Sequence, residues 1–369
     1  MRYQRMPIEK ESPEELGYGN IRYNLAESSV SDFVLKDIQL QLSELTLCYT
    51  DHKGKPELRE LLVQEYANLH KENVLLTAGA AAALFIIATS LLEKDSHIIV
   101  VRPNYATNIE TPKAIGCGIS YIDLRFEEDW SIDIEAVEKA IQPATKYISI
   151  THPHNPTGVL LAKEELEKLI DIAERYNIYL LVDETYRDLN FKERYPLAAS
   201  FSSHVISVSS VSKAYGLPGL RLGWLVTGNE HLMEIFLAAK EQIFITNSVL
   251  DEEVAYQFMV NRQQYFPVIQ QSVKEKFDIL EAWIEQEARL QWVKPGGGVV
   301  CFPKIKTAGT VNMQRFYQLL LHKYGTMVGP GHWFNMPDTY MRIGYGWPTA
   351  DALKMGLSNI SLLLDEMGM

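Results

Sequence analysis

From about residue 57 to 228, short runs dense in Ile, Val and Leu alternate with amphipathic stretches, the pattern of an α/β sheet with helices on both faces. The apolar runs predict strands over 97–101, 120–123, 147–151, 178–183, 205–209 and 222–227. A strand covered on both faces has no need of polar alternation. Leu76-Thr77-Ala78-Gly79 reads as a strand end opening an Ala-rich helix, and 163–176 as an amphipathic helix between strands. A long helical stretch over 250–287 then precedes the turn Lys294-Pro295-Gly296-Gly297-Gly298, after which short strands and helices resume. This change of rhythm predicts a large α/β/α domain over 49–285, with a mostly parallel sheet, and a smaller α+β domain over 286–369. Residues 1–48 are expected to form an N-terminal segment packing with the smaller domain. No internal repeat or low-complexity linker interrupts the pattern, so the parts are expected to pack closely.

Composition narrows the classes of partner. The 369 residues are 47% hydrophobic and 22% charged, enough for sizeable cores and neither disordered nor membrane-like in balance. Counting 35 basic against 47 acidic side chains gives a net charge of −12, which argues against nucleic acid and anionic lipid as partners. No apolar stretch is long enough for a membrane span, and residues 1–10 lack the apolar core of a secretory signal, so a cytoplasmic location is expected. Cys48, Cys117 and Cys301 are too few and too scattered for a disulfide framework or a zinc site, and are expected to be buried thiols; no metal is expected.

In an open α/β sheet, ligands sit beyond the carboxyl ends of the strands, which directs attention to the residues just after each run. There lie Gly79-Ala80-Ala81, His154-Asn155-Pro156-Thr157-Gly158, Asp183-Glu184-Thr185-Tyr186 and Ser210-Val211-Ser212-Lys213. Each has an ordinary reading by itself. Asn-Pro-Thr-Gly is a plausible turn in any protein, a strand-end Asp can cap a helix or hold magnesium, and a serine-flanked lysine is usually solvated. Together they offer an amine, a carboxylate, hydroxyls and the N-terminus of a helix for an anion.

Ser210-Val211-Ser212-Lys213 is followed by Gly216, Gly219 and Leu220-Arg221-Leu222-Gly223. With Asn155-Pro156-Thr157-Gly158, Asp183 and Tyr186 in order upstream, the chain resembles the class I/II aminotransferases of the pyridoxal 5′-phosphate (PLP) fold-type I superfamily over most of its length. The resemblance implies that Lys213 carries PLP as a Schiff base and, once displaced, acts as a base. It implies Asp183 on the pyridine nitrogen and Asn155 and Tyr186 on the phenolic oxygen. The phosphate would fall to the backbone of Gly79, Ala80 and Ala81, the Ser210 hydroxyl and the Arg221 guanidinium, with Tyr105 stacked on the ring. Ala80 and Ala81 stand where family members often carry a hydroxyl, leaving only backbone contacts there. Tyr49, in Tyr49-Thr50-Asp51-His52-Lys53-Gly54, matches the tyrosine that reaches a neighbouring subunit's phosphate, which implies a homodimer with shared sites. Gly329-Pro330-Gly331-His332-Trp333-Phe334 and Tyr340-Met341-Arg342-Ile343-Gly344 resemble the small-domain signature, making Arg342 the partner of the substrate carboxylate. Asn155 and Ala26 would stand beside it.

The activity so implied is transfer of an amino group between an amino acid and a 2-oxo acid. The same scaffold can support a PLP-dependent lyase, cyclase or decarboxylase, and a non-catalytic binding domain is a reading from a different class. Leu25-Ala26-Glu27-Ser28-Ser29, in the usual substrate-facing position, offers no extra arginine to argue for a dicarboxylate substrate.

Overall fold

The computed structural model describes residues 1–191, 194–306 and 311–369. Seven strands form the central sheet: β1 Val74–Thr77, β2 His97–Arg102, β3 Gly118–Asp123, β4 Thr145–Thr151, β5 Tyr179–Asp183, β6 Val205–Ser210 and β7 Gly223–Val226. Their order is β1-β7-β6-β5-β4-β2-β3, parallel throughout except for β7, which runs antiparallel to both its neighbours. The predicted strands are all present, with ends shifted by up to two residues.

Side chains alternate between two cores, as a period of two requires. Ile98, Val100, Leu181, Ile206 and Leu225 face α1 (Ala80–Leu91), burying Leu84 and Ile87. Ile99, Ile148, Leu180 and Val182 face the other way, toward Leu166, Leu169 and Ile170 of α2 (Lys163–Arg175). Both faces are thus sealed, and the polar residues at the strand ends collect along one edge. The pairing Thr151↔Asp183↔Val208 aligns the ends of β4 and β5 with β6.

The stretch read as one helix over 250–287 is two, α3 (Val249–Val260) and α4 (Arg262–Gln286), broken at Asn261. There the Asn261 side-chain amide donates to the Gln257 carbonyl at 2.8 Å, closing the end of α3 with a local bond that competes with helix continuation. The far end of α4 packs on the last helix, α5 (Ala350–Glu366), with Trp283 Nε1 donating to Ser361 Oγ at 3.0 Å. The turn at 294–298 comes back to the large sheet, its Gly296 N–H bonded to the Gly158 carbonyl. Beyond it, β8 (Val300–Cys301) and β9 (Gly329–Pro330) flank β10 (Met341–Gly344) in an antiparallel sheet, the core of the smaller α+β domain.

The N-terminal segment joins both parts. Tyr23–Asn24 pairs in parallel with Thr326–Met327, and the Gly344 N–H donates to the Leu25 carbonyl. Further on, Val30 N–H donates to the Lys213 carbonyl and Phe33 N–H to that of Gly216. Cys301 and, in part, Cys117 are buried, but Cys48 is exposed, contrary to the expectation of three buried thiols. It sits in a stretch without regular structure, where no sheet or helix face turns it inward. Among the described residues no helix is long and apolar enough to cross a membrane.

Candidate active site

A cavity of about 580 Å³ opens at the sheet edge where β1, β4, β5 and β6 end and β7 begins. At its centre, Lys213 Nζ donates to Ser28 Oγ at 3.1 Å. Burial pushes the Lys213 amine below its ordinary pKa, opposed by the negative charge of Glu27. Asp183, the last residue of β5, is buried and accepts from Thr185 N–H (3.1 Å) and Thr185 Oγ1 (2.5 Å) through one oxygen. Desolvation raises its pKa against those bonds and the Lys213 charge. A buried carboxylate in that state favours a cationic N–H as partner.

The anion cradle comes from strand register. Gly223 pairs with Thr77 on one side and Ser210 on the other, so one residue of β7 brings three chain segments together. A Cβ at Gly223 would lie 2.5 Å from the Ala80 nitrogen, and one at Gly79 2.6 Å from Arg221 Nη2; only glycine lets these groups approach. Gly79 (φ +83°) precedes α1, whose N-terminal residues Ala80 and Ala81 line the cavity beside Ser210, Ser212 and Arg221. A phosphate fits this set: exposed helix N–H groups, two hydroxyls and a guanidinium held by Nη1 on the Pro218 carbonyl at 2.9 Å.

The opposite wall belongs to Arg342, which is only 4% exposed. Its Nη1 donates to Asn155 Oδ1 at 3.2 Å and its Nη2 to the Ala26 carbonyl at 2.7 Å, while Phe334 lies 5.0 Å from its guanidinium carbon. Nε is buried and has no partner among the described residues. The Tyr186 hydroxyl donates to the Ser28 carbonyl at 2.7 Å, and burial moves its pKa up to about 12. Tyr105 also lines the cavity.

The structure therefore gathers Lys213, Asp183, Tyr186, Tyr105, Asn155, Ser210, Arg221, Arg342, Ala26, Ala80 and Ala81 around one space, with Gly79 directly behind. Tyr49 stands apart, 81% exposed and outside this chain's cavity. His152 and His154 are structural. His154 joins Thr157 Oγ1 (2.7 Å) to the Pro103 carbonyl (2.8 Å), and burial holds both imidazoles near a pKa of about 4.

Sequence reasoning missed Ser28, Ser212 and Thr185 as contacts, and the whole of the segment around Arg5 to Glu15 that covers the mouth. Its local signals are two short helix starts, Pro7-Ile8-Glu9 and Ser12-Pro13-Glu14-Glu15, with nothing to say where they dock. It is fastened by Glu11, whose Oε2 accepts from Trp333 Nε1 and lies 2.8 Å from His332 Nε2; His332 Nδ1 is 2.8 Å from Asp338 Oδ1. The two carboxylates outweigh desolvation and raise the His332 pKa. A raised folded-state value means that this fastening is fully present below the ordinary imidazole pKa of about 6.5 and is lost as pH rises through the higher one. Limited proteolysis within the first 16 residues is expected to speed up over that alkaline-going window, and Glu11→Gln to make the rate high and nearly pH-independent. A flat profile in the unsubstituted protein would contradict the assignment.

An amine beside a strand-end carboxylate and an anion cradle is the working arrangement of enzymes that carry PLP on fold type I. The solved PLP-dependent aminotransferase of Streptococcus suis is similar over 100% of this chain and 99% of its own, with a TM-score of 0.91 and 27% identity. Residues 14–360 match the family model for aminotransferase class I and II, and the chain belongs to that family. Among its relatives, the aspartate aminotransferase of Pyrococcus horikoshii is 29% identical over 80% of this chain and 78% of its own length. Capreomycidine synthase of Streptomyces vinaceus is 28% identical over 80% and 74%.

Proposed function

We propose that this enzyme moves an amino group between an amino acid and a 2-oxo acid, with PLP covalently joined to Lys213 Nζ. The observation that carries the proposal is the meeting of a desolvated lysine, a desolvated strand-end carboxylate and an inward arginine in one cavity. When bound, PLP supplies an electrophilic aldehyde and a protonated ring that takes up the electron pair left at the substrate Cα. Asp183 holds the ring N–H and keeps it protonated. The N-terminus of α1, Ser210, Ser212 and Arg221 hold the phosphate, while Tyr105 covers one ring face. Asn155 and Tyr186 address the phenolic oxygen, and Asn155 links that position to Arg342. Arg342, its Nη2 held by the carbonyl of Ala26, would orient the substrate carboxylate. Lys213, lowered in pKa and hydrogen-bonded to Ser28 Oγ, would hold the cofactor aldehyde and, as a free amine, would serve as the base for the substrate Cα proton.

Exposed Leu47 and Tyr49 fit a surface covered by a second copy, supporting a homodimer in which Tyr49 reaches the partner's phosphate site. The divisions at 48/49 and 285/286 and a cytoplasmic location are part of the same reading. The test is spectral. The PLP-loaded protein is expected to convert to the aminated cofactor on adding an amino acid, with release of the matching 2-oxo acid. Elimination, cyclised or decarboxylated products in place of the oxo acid would establish the rival reading, for which the likeness to capreomycidine synthase is the specific reason.

A further inference from the structure

The cavity has two ends of opposite character. At its floor, three cations have assigned tasks: Lys213 and Arg221 toward the cofactor, Arg342 toward a carboxylate. At its mouth, the lining side chains include Glu9, Glu14, Glu15 and Glu27, with Arg5 as the one cation. Arg5 is already matched by Glu15, at 2.9 Å. Glu9, Glu14 and Glu27 are left, and none of them has an ion-pair partner among the described residues; Glu27 takes only a hydrogen bond from the Tyr18 hydroxyl at 3.0 Å.

The backbone of Glu27 is fixed at this position. It lies between Ala26, whose carbonyl holds Arg342 Nη2, and Ser28, whose hydroxyl and carbonyl hold Lys213 and Tyr186. Gly344 secures the same segment, its N–H bonded to the Leu25 carbonyl, and a Cβ there would collide with the Glu27 carbonyl oxygen. The negative field of Glu27 and Glu14 is felt at Lys213 and at Arg342. Arg342 lines the same cavity and is the cation left there for one end of a ligand, a carboxylate. Glu9, Glu14 and Glu27 line the same cavity as Arg342 and Lys213, so a side chain on an amino acid held by those two shares the space with the three carboxylates.

Resting on the transamination reading above, we infer that the preferred amino donor is an α-amino acid with a cationic side chain, a guanidinium or ammonium on a short methylene chain. Its carboxylate pairs with Arg342 and its distal cation with Glu27 and Glu14. Aspartate and glutamate are disfavoured, because their second carboxylate meets like charge in a partly desolvated mouth.

The test uses the PLP-loaded protein with L-arginine, L-ornithine, L-citrulline, L-aspartate and L-glutamate, reading dissociation constants and half-reaction rates from the cofactor spectrum. L-Citrulline matches L-arginine in shape without its charge. L-Arginine or L-ornithine is expected to bind about 10- to 100-fold more tightly than L-citrulline, the range of a charge-assisted hydrogen bond, and to lose that advantage with added salt. In Glu27→Gln, and separately in the surface variant Glu14→Gln, the arginine-to-citrulline ratio should fall, and in the double variant approach unity. Equal binding of arginine and citrulline by the unsubstituted protein, or preference for aspartate or glutamate, overturns this inference and leaves transamination standing. Elimination, cyclised or decarboxylated products in place of the 2-oxo acid overturn the transamination reading itself.

Discussion

Lys213→Ala is expected to lower turnover by about 10⁴-fold or more, because on the proposed reading it removes both the covalent anchor and the proton-transferring amine, and general base catalysis alone is worth about 10²–10⁴. The loss should lie in kcat. Arg342, Asn155 and the anion cradle are unaltered, so the variant should still bind PLP and retain affinity for an amino acid. Its absorption should be that of unattached cofactor, and mass spectrometry after borohydride should find no adduct. The folded protein should not suffer, since burial opposes the Lys213 charge and alanine removes it. An adduct on another lysine, or turnover within tenfold of the unsubstituted enzyme, would refute the assignment.

Asp183→Asn is the second large effect. The amide keeps the shape and can still accept from Thr185, but it offers no negative charge to a protonated ring. Loss of one preorganised electrostatic partner predicts a drop of about 10²–10³ in kcat. Stability should move the other way. Burial raises the folded-state pKa of Asp183 above its unfolded value. Below the unfolded pKa the carboxyl is neutral in both states and stability is undiminished; as pH climbs through the folded value, the native protein must carry a buried charge and loses stability. At neutral pH the cofactor-free Asp183→Asn protein should therefore melt no lower than the parent. The stabilisation gained on adding PLP should shrink. Thermal denaturation with and without PLP, at pH 5 and pH 8, measures both effects; a lower melting point for the cofactor-free variant at pH 8 would contradict the burial argument.

Much of this molecule is legible in its sequence, for a physical reason. Strands buried on both faces are rich in Ile, Val and Leu, so β2, β4, β5 and β6 stand out, and the rule that ligands lie beyond strand ends leads to Gly79, Asn155, Asp183 and Lys213. The rule does not reach Arg221. Because β7 runs against its neighbours, the residues that enter the site come before it, not after. Only the resemblance of Leu220-Arg221-Leu222-Gly223 marked that arginine, as it marked Arg342. The break at Asn261 was hidden, since apolar and polar positions continue on both sides and the interruption is one side-chain bond. Least legible was the cover over the mouth: Glu11 finds His332 and Trp333 through tertiary packing that no local periodicity encodes.

The bond between Arg342 and the Ala26 carbonyl joins residues 316 positions apart. Such distant closure orders the assembly of the enzyme, because contacts of high sequence separation demand that the intervening chain already be gathered. Strands β1 to β7, and with them the cradle and the lysine, are complete by residue 226 as the polypeptide emerges from the ribosome. Arg342 must wait for the last strand, and residues 5–15 for His332 and Trp333, which fasten Glu11. On the proposed assignment, the residues that would hold the vitamin are thus made before the one that would receive the amino acid's carboxylate.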